Sequence, residues 1–213
     1  MRYQIVCKPG RFAGSALLAL MAFACIPQPS EPVAPTWDVN VTIPVFKRSY
    51  TIQDILGGAT QAKVPVTNVA VCDTAQIGDT AGTGSGNKRI DPETINSVNF
   101  GRVHVEIVNG FPMQITMKTG LLDRWGGFLL AIPKADGDSL RVEPATVLGG
   151  GVEEPVASSS TIELTGADIE KFNPAELVRY VITLATPTGQ PVTVDNGDTL
   201  HVRMWAEFSY QVK

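Results

Sequence analysis

The sequence predicts an all-β protein folded as an antiparallel β-sandwich with one or two short helices. Apolar and polar residues alternate over several short segments, and this period of two is typical of strands buried on one face. Turn residues separate the segments, since the chain of 213 residues holds 20 Gly and 15 Pro. A hydrophobic share of 44%, against 18% charged residues, provides enough apolar surface for a packed core.

The clearest strand signal lies at residues 199–212. Every second residue there is apolar, namely Leu200, Val202, Met204, Ala206, Phe208, Tyr210 and Val212. The residues between them are mostly polar, so the strand has one apolar face and one polar face. Such a strand must bury its apolar face against a second layer, which predicts that the domain is built around it.

The N-terminal part of the domain, which we expect to start at Trp37, contains two further strand patterns. Residues 39–45 alternate, and Pro44 predicts an edge strand or a break because proline cannot donate to a strand ladder. Thr51–Gly57 has the pattern of a single helical turn, with a capping Thr and a terminating Gly. Residues 64–72 form a second β-rich run.

The β-rich run is expected to end at Cys72, where a loop-like segment begins. We expect Cys72 to be a small buried hydrophobe. Residues 73–89, rich in Gly, Thr and Asp, predict a surface loop. The part Gly82–Lys88 lacks the Gly-Lys-Ser/Thr ending of a phosphate-binding loop, so we do not expect nucleotide binding.

The middle of the chain predicts a strand pair and a central strand. Residues 98–119 alternate on both sides of Asn109-Gly110, a turn signal that favours a hairpin or a strand-bulge-strand. Asp123–Gly127 predicts the next turn. Residues 128–132 are apolar on both faces, which indicates a central, well-covered strand.

The C-terminal third predicts short strands around one capped helix. A loop is expected over residues 149–160, which include Ser158–Ser160, and a short strand follows it. Thr165–Phe172 has the pattern of a short capped helix. Another strand starts near residue 178. The strands predicted along the chain number roughly eight to ten, which suits an immunoglobulin-like or related sandwich.

The first 24 residues predict a secretory signal peptide. Arg2, Lys8 and Arg11 precede a short apolar segment at 15–24, which ends in the small-x-small site Ala22–Ala24. The apolar segment is too short to span a membrane. We therefore expect the protein to be exported, with cleavage after residue 24.

Cys25 follows this site directly, and residues 1–25 resemble a bacterial lipoprotein precursor. In such precursors the cysteine is lipidated and becomes the mature N-terminus. The resemblance implies a membrane anchor on Cys25, and Ile26 in place of Asp implies the outer membrane. Ordinary cleavage is the alternative; it would leave a freely exported protein and would permit a disulfide between Cys25 and Cys72.

A tether is predicted between this anchor and the domain. Residues 26–36 contain four prolines, which fix backbone angles and favour an extended chain. The expected organisation is therefore a signal peptide at 1–24, a lipidated cysteine and tether at 25–36, and a β-sandwich domain at 37–213.

Residues 103–130 resemble the late-embryogenesis-abundant type 2, or water-stress, domains. The similarity lies in Asn109 and Pro112 within an apolar strand pair, and in the Gly-bearing turn that follows. Those domains are small β-sandwiches without known catalysis. The resemblance therefore implies the same fold class.

Charge argues against one class of partner. The chain has a formal net charge of −4, and cleavage after residue 24 would remove three of its 17 basic residues but none of its 21 acidic ones. Nucleic-acid phosphates need clustered Lys or Arg, and the sequence has no such cluster. We therefore expect no nucleic-acid partner.

No residue pattern predicts catalysis, a cofactor or a metal. The two histidines, His104 and His201, would form a metal site with Glu106 only if the fold brought them together. Aspartates at 136 and 138, and at 195 and 198, suit hairpin turns better than calcium sites. The expectation is a non-enzymatic protein without catalytic residues.

Two tryptophans mark the candidate interaction surface. Trp125 lies in a predicted turn, and Trp205 lies on the polar face of the last strand, near His201 and Arg203. Exposed tryptophans are favoured at binding surfaces because they offer large rigid contact area with one donor. The alternative for Trp205 is cover by a second layer or a loop.

The sequence thus predicts a cell-envelope lipoprotein that binds a protein or a surface polysaccharide. The alternative is a periplasmic carrier that holds a lipid or another apolar ligand between its sheets. A carrier needs a cavity of several hundred Å³, whereas an interaction module has a packed interior.

Overall fold

The computed structural model describes residues 37–57, 63–78, 98–134, 139–147 and 153–212. Residues Asp38–Val212 form one compact unit. Three predictions lie outside the described residues: the signal peptide at 1–24, lipidation of Cys25 and the tether at 25–36. Most of the predicted glycine-rich loop and the aspartates at 136 and 138 also lie outside them.

The described chain forms thirteen strands and two short helices. In chain order these are β1 (Trp37–Thr51), α1 (Ile52–Leu56), β2 (Lys63–Val66), β3 (Asn68–Gln76), β4 (Val98–Asn109), β5 (Gln114–Leu122), β6 (Phe128–Ile132), β7 (Leu140–Val142), β8 (Thr146–Val147), β9 (Glu153–Glu154), β10 (Val156–Leu164), α2 (Gly166–Phe172), β11 (Leu177–Ala185), β12 (Val192–Asp195) and β13 (Thr199–Val212). Strands dominate the described chain, which confirms the prediction of an all-β protein.

Two antiparallel sheets pack against each other as a sandwich. The four-stranded sheet has the order β1-β13-β4-β10. The five-stranded sheet has the order β3-β11-β5-β6, and β7 pairs with β5 on the same side as β6. Two small ladders, β2 with β12 and β8 with β9, complete the described strands. The predicted antiparallel sandwich with two short helices is confirmed.

The core lies between the two sheets and follows the predicted alternation. On β13 the buried side chains are Leu200, Val202, Met204, Ala206 and Phe208. Opposite them, β11 buries Val178, Tyr180, Ile182 and Leu184. The Phe46 ring stacks on Tyr180 with centroids 4.7 Å apart, so β1 and β11 meet through aromatic contact.

The predicted position of β1 is confirmed, since it forms one edge of the four-stranded sheet. Pro44 is exposed there, where its missing N–H costs no ladder bond. Val45 and Phe46 are consecutive and both fully buried, so the alternation shifts by one residue at that point. As a result, Lys47 and Ser49 face outward beyond the shift, although Val41, Ile43 and Val45 face inward before it.

Asn109-Gly110 forms a corner between the sheets, and the predicted hairpin is wrong. β4 belongs to the four-stranded sheet and β5 to the five-stranded sheet. The buried Asn109 side chain donates to the carbonyls of Met113 and Glu143, each at 2.8 Å, and accepts from the Phe111 N–H at 2.9 Å. These bonds satisfy backbone groups that leave one ladder before they join the next.

Gly110 completes this corner because no side chain fits there. Its N–H donates to the Thr199 carbonyl at 2.9 Å, and a Cβ at this position would lie 2.7 Å from that same oxygen. A backbone oxygen cannot move aside as a flexible side chain can. The turn signal was therefore correct, but it marks a sheet-to-sheet crossing.

Three other strand predictions are wrong. β6 is an edge strand, since it ends the sheet order, and Phe128 is 67% exposed because its ring lies over Gly120 on the outer face and not in the core. Ser158–Ser160 lie inside β10, where pairing with β4 overrides the low strand propensity of serine. β3 continues through Gln76, and Cys72 is exposed because its side chain points away from the core.

Both predicted helix caps are confirmed. At α1, Thr51 and Asp54 form a capping box, and Gly57 ends the helix with a left-handed φ of 70°. At α2, Thr165 and Asp168 form the same box. Each helix is short, and the cap supplies partners for N–H groups that have none within the helix.

Candidate functional site

The structure places three of the four predicted surface residues together. His201, Arg203 and Trp205 alternate on β13 with buried residues and therefore lie on the outer face of the four-stranded sheet. Trp125 lies in the turn before β6, at the edge of the other sheet. The candidate surface therefore splits into two separate places.

Trp205 is half-buried in a stack of polar and charged side chains. Its ring lies parallel to His104 of β4, with centroids 5.0 Å apart and planes 11° apart. The Arg203 guanidinium lies 4.8 Å from the centroid of the same ring, at cation–π distance. Among the described residues, the ring contacts are with these neighbours on the same sheet face.

His104 is held in place from two directions. Its Nδ1 lies 3.0 Å from Thr161 Oγ1 on β10, and its Nε2 lies 3.0 Å from Glu207 Oε2 on β13. The second contact is within ion-pair distance but is misaligned for a hydrogen bond. Sequence reasoning missed this group because only the strand register brings the three residues to one place.

A groove of about 470 Å³ runs along the same outer face between β1 and β13. It is lined by Thr42, Pro44, Phe46, Lys47, Arg203, Met204 and Trp205. Two cations, Lys47 and Arg203, are exposed at this groove, and the Trp205 ring lies beside them. The arrangement combines positive charge with an aromatic surface, which can hold an extended ligand that carries negative groups.

No family model matches the chain, and no curated protein matches it. Among solved structures, the chain is similar to a candidate secreted protein from Parabacteroides distasonis, with 13% identity and a TM-score of 0.43. That alignment covers 68% of this chain and 39% of the other, so the chain spans well under half of that relative.

Two further solved structures illustrate how distant the likeness is. An infectious bursal disease virus structure is 9% identical with a TM-score of 0.37, over 83% of this chain and 32% of that one. The K1 cleaved adhesin domain of Lys-gingipain from Porphyromonas gingivalis is 10% identical with a TM-score of 0.25, over 81% and 97%. At these TM-scores the likenesses assign no function to the chain.

The rest of the outer face, around the groove, carries mixed charge. Arg102 lies 3.5 Å from Glu163 and packs over the Phe100 ring at 4.1 Å. Glu106 is the strand partner of Arg203. Opposite charges therefore alternate across β10, β4 and β13, and the groove at the β1 edge is where cations lie without an acidic residue in the lining.

The two histidines do not converge on a metal. His201 precedes Trp205, the strand partner of His104, by four residues, which is about 13 Å along a strand. His201 instead bonds Ser49 through Nδ1 at 2.7 Å and Thr199 through Nε2 at 3.2 Å. Among the described residues, no cluster of three His, Cys, Asp or Glu side chains could hold a metal ion.

The aspartates at 195 and 198 form a turn. The Asp195 N–H donates to Asp198 Oδ2 at 2.7 Å, and the Asp198 N–H donates to the Asp195 carbonyl at 3.0 Å. This is the hydrogen-bonding role expected of Asp in a tight turn.

Trp125 projects from a rigid turn at the margin of the five-stranded sheet. Asp123 Oδ1 accepts from the N–H groups of Trp125 and Gly127, at 2.8 and 2.7 Å. The Trp125 ring is 80% exposed, and the Arg124 guanidinium lies 4.2 Å from its centroid. The turn therefore holds a large apolar ring in solvent with a cation on its face.

Neither described helix is long and apolar enough to cross a bilayer.

Proposed function

We propose that this protein is a non-enzymatic, exported lipoprotein of the cell envelope whose β-sandwich binds a protein or a surface polymer. The observation that carries the proposal is the groove between β1 and β13, with Lys47, Arg203 and Trp205 in its lining. Export and anchoring are supported by residues 1–25, which carry the signal-peptide pattern and Cys25.

The chemistry of the groove fits an acidic surface polymer best. Arg and Lys bind carboxylate or phosphate groups, and a tryptophan edge offers apolar contact to a sugar ring. The groove lies along an edge strand and is partly open to solvent, so part of a polymer can contact it from outside. A protein segment rich in acidic residues is the other partner of this chemistry.

Binding at the surface is favoured over the carrier because large side chains occupy the space between the sheets. Phe46, Phe111, Tyr180 and Phe208 are buried there at 0 to 2% exposure. Phe172 packs edge-on against Phe208 with centroids 5.2 Å apart. An apolar ligand between the sheets would have to displace these rings.

Titration with polygalacturonate, a carboxylate polymer, and with neutral dextran tests the groove. The wild-type chain should bind polygalacturonate and ignore dextran. Arg203→Ala and Lys47→Ala should each weaken binding about tenfold, since each removes one charge-assisted contact. Lys171→Ala, which removes an exposed cation on α2, serves as the control and should bind as wild type does.

A photoreactive side chain at Thr42, in intact cells, tests the protein partner. A specific protein cross-linked there, in place of polymer binding, would identify the other class of ligand. If no acidic polymer binds and no protein is cross-linked, the groove has no partner and the proposal fails. The mass of the mature N-terminus tests the anchor separately, because acylation of Cys25 adds the mass of its lipids.

A further inference from the structure

The paired strand residues on the outer face of the five-stranded sheet carry charge of one sign. Residues on this face alternate with the buried ones of β5 and β11, and the strand register aligns them across the sheet. Its charged members are Lys118 of β5, Arg141 of β7 and Arg179 of β11, and all three are exposed. The strand rows of this face contain no Asp or Glu among the described residues.

This pattern departs from the rest of the molecule. The chain as a whole is acidic, with a formal net charge of −4, and the other outer face mixes Arg with Glu. Carboxylates lie at the ends of these strands: Asp123 follows β5, Glu176 precedes β11, and Glu143 follows β7, where Gln114 Nε2 lies 3.4 Å from its Oε1. The positive charge is therefore concentrated within the strand rows of this face.

Two exposed aromatic rings adjoin these cations. The Phe128 ring lies directly over Gly120: a Cβ added at Gly120 would be only 2.9 Å from Phe128 Cε2. Gly120 is the strand partner of Arg179, so this ring belongs to the same face as the cations. Trp125, with Arg124 on its ring, extends the apolar area beyond the sheet edge.

Aromatic rings beside Lys and Arg are typical of protein surfaces that bind a bilayer. Trp and Phe bury their rings at the level of the headgroups, and Lys and Arg keep their charges at the phosphates. Anionic lipids attract each such cation. The turn that carries Trp125 is already ordered by Asp123, so insertion costs little further conformational entropy.

We propose that this face, defined by Lys118, Arg141, Arg179, Trp125 and Phe128, docks on an anionic lipid bilayer. The inference rests on the proposed envelope location but uses a different surface from the groove. A tether of the length of residues 25–36 spans about 37 Å if extended, so a lipid on Cys25 would hold the face within reach of the membrane. The groove on the other sheet then faces away from the bilayer.

Vesicle flotation of the full chain tests the proposal, with Cys25→Ser in every variant so that no acyl chain contributes. The chain should float with phosphatidylglycerol vesicles and not with phosphatidylcholine vesicles. Lys118→Glu with Arg179→Glu should reduce flotation by more than tenfold, from roughly fivefold per cation removed. Lys171→Glu is the charge-matched control and should float as the parent does.

Fluorescence reports the aromatic part of the same contact. Phosphatidylglycerol vesicles should shift the tryptophan emission to shorter wavelength, and Trp125→Phe should lose that shift. Trp125→Ala with Phe128→Ser should weaken flotation about tenfold, as expected for loss of two inserted rings. These side chains are exposed, so thermal unfolding of each variant should match that of the parent.

Several outcomes would overturn the proposal. One is that the parent fails to float with phosphatidylglycerol vesicles, and another is that the Lys118→Glu/Arg179→Glu variant floats as well as the parent does. The third such outcome is that Lys171→Glu loses as much flotation as that double variant. If soluble polygalacturonate bound this face and displaced the chain from vesicles, the face would be a polymer-binding site and not a bilayer-docking one. If the chain floated as expected but the groove bound no polymer and no protein, the proposed function would be wrong and the docking proposal would stand.

Discussion

The hydroxyl of Tyr50 on β1 lies 2.5 Å from the hydroxyl of Tyr180 on β11, which links the two sheets through a buried hydrogen bond. Tyr180 donates its one proton to Asp73 Oδ2 at 2.9 Å, so Tyr50 must donate to Tyr180. The chain Tyr50–Tyr180–Asp73 thus starts in one sheet and ends at the edge strand of the other.

Removal of either hydroxyl should destabilise the sandwich. Tyr180→Phe leaves the Tyr50 proton and Asp73 without this partner, and we expect a loss of about 1–2 kcal/mol in the free energy of unfolding. The double variant with Tyr50→Phe should lose less than the sum, because the two share one bond. Urea denaturation measures both, with the half-buried Tyr210→Phe as control; strictly additive losses would mean that the hydroxyls act independently.

The same pair predicts loss of stability at high pH. Burial raises the pKa of both tyrosines above the ordinary value of 10, and for Tyr180 the bonds to Tyr50 and Asp73 add to the effect. Above pH 10 the unfolded chain releases these protons while the folded chain keeps them, so the free energy of unfolding falls as pH rises. Replacement of both tyrosines by Phe should flatten this dependence; an unchanged slope would contradict the assignment.

Asp168 predicts the opposite dependence in acid. Burial raises its pKa, but bonds from Lys134 Nζ at 2.6 Å and from Thr165 outweigh that effect and lower the pKa to about 2. Its contribution is complete above pH 4 and is lost as pH falls towards 2. Asp168→Asn should therefore cost about 2 kcal/mol at neutral pH and remove the acid dependence in this window.

Asp54 provides the matched comparison for Asp168. It closes the same capping box at α1, where Thr51 donates to it, but it is exposed. Asp54→Asn should cost at most about 1 kcal/mol. Equal losses for the two substitutions, measured by urea denaturation at neutral pH, would show that the contact with Lys134 adds nothing.

Asn109→Ala should be among the most damaging single substitutions in the domain. It deletes three hydrogen bonds at the sheet-to-sheet corner and leaves two carbonyls and one N–H without these partners, at a cost of about 3 kcal/mol or more. Asn68→Ala, on the exposed face of β3, is the control and should change stability by less than about 0.5 kcal/mol. A small loss at Asn109 would mean that water replaces the side chain.

Local pattern predicted the strands better than their places in the sheets. The alternation at 199–212 identified β13 and its buried face, because side-chain period is a property of a single strand. Position in a sheet depends on partners far along the chain. Local pattern therefore predicts a central place for residues 128–132, although Phe128 lies at an edge, and a loop for Ser158–Ser160, although they lie inside β10.

The candidate surface was predictable only in part, for the same reason. Trp205, Arg203 and His201 share one strand, so their common face follows from sequence. Lys47 joins them through the pairing of β1 with β13, after a shift at Val45 and Phe46; Pro44 predicts an edge or a break there but not the side to which Lys47 turns. The concentration of Lys118, Arg141 and Arg179 likewise requires the register of three strands.

The central place of β13 has a consequence for the order of folding. β4 ends at Asn109, yet its neighbour in the sheet, β13, begins only at Thr199 and separates β4 from β1. A chain that is made or translocated N-terminus first therefore holds β1 and β4 with open edges until its final described strand arrives. Such non-local pairing slows folding, and unpaired edges invite association with other chains. Passage of nearly the whole domain must precede closure of the sandwich.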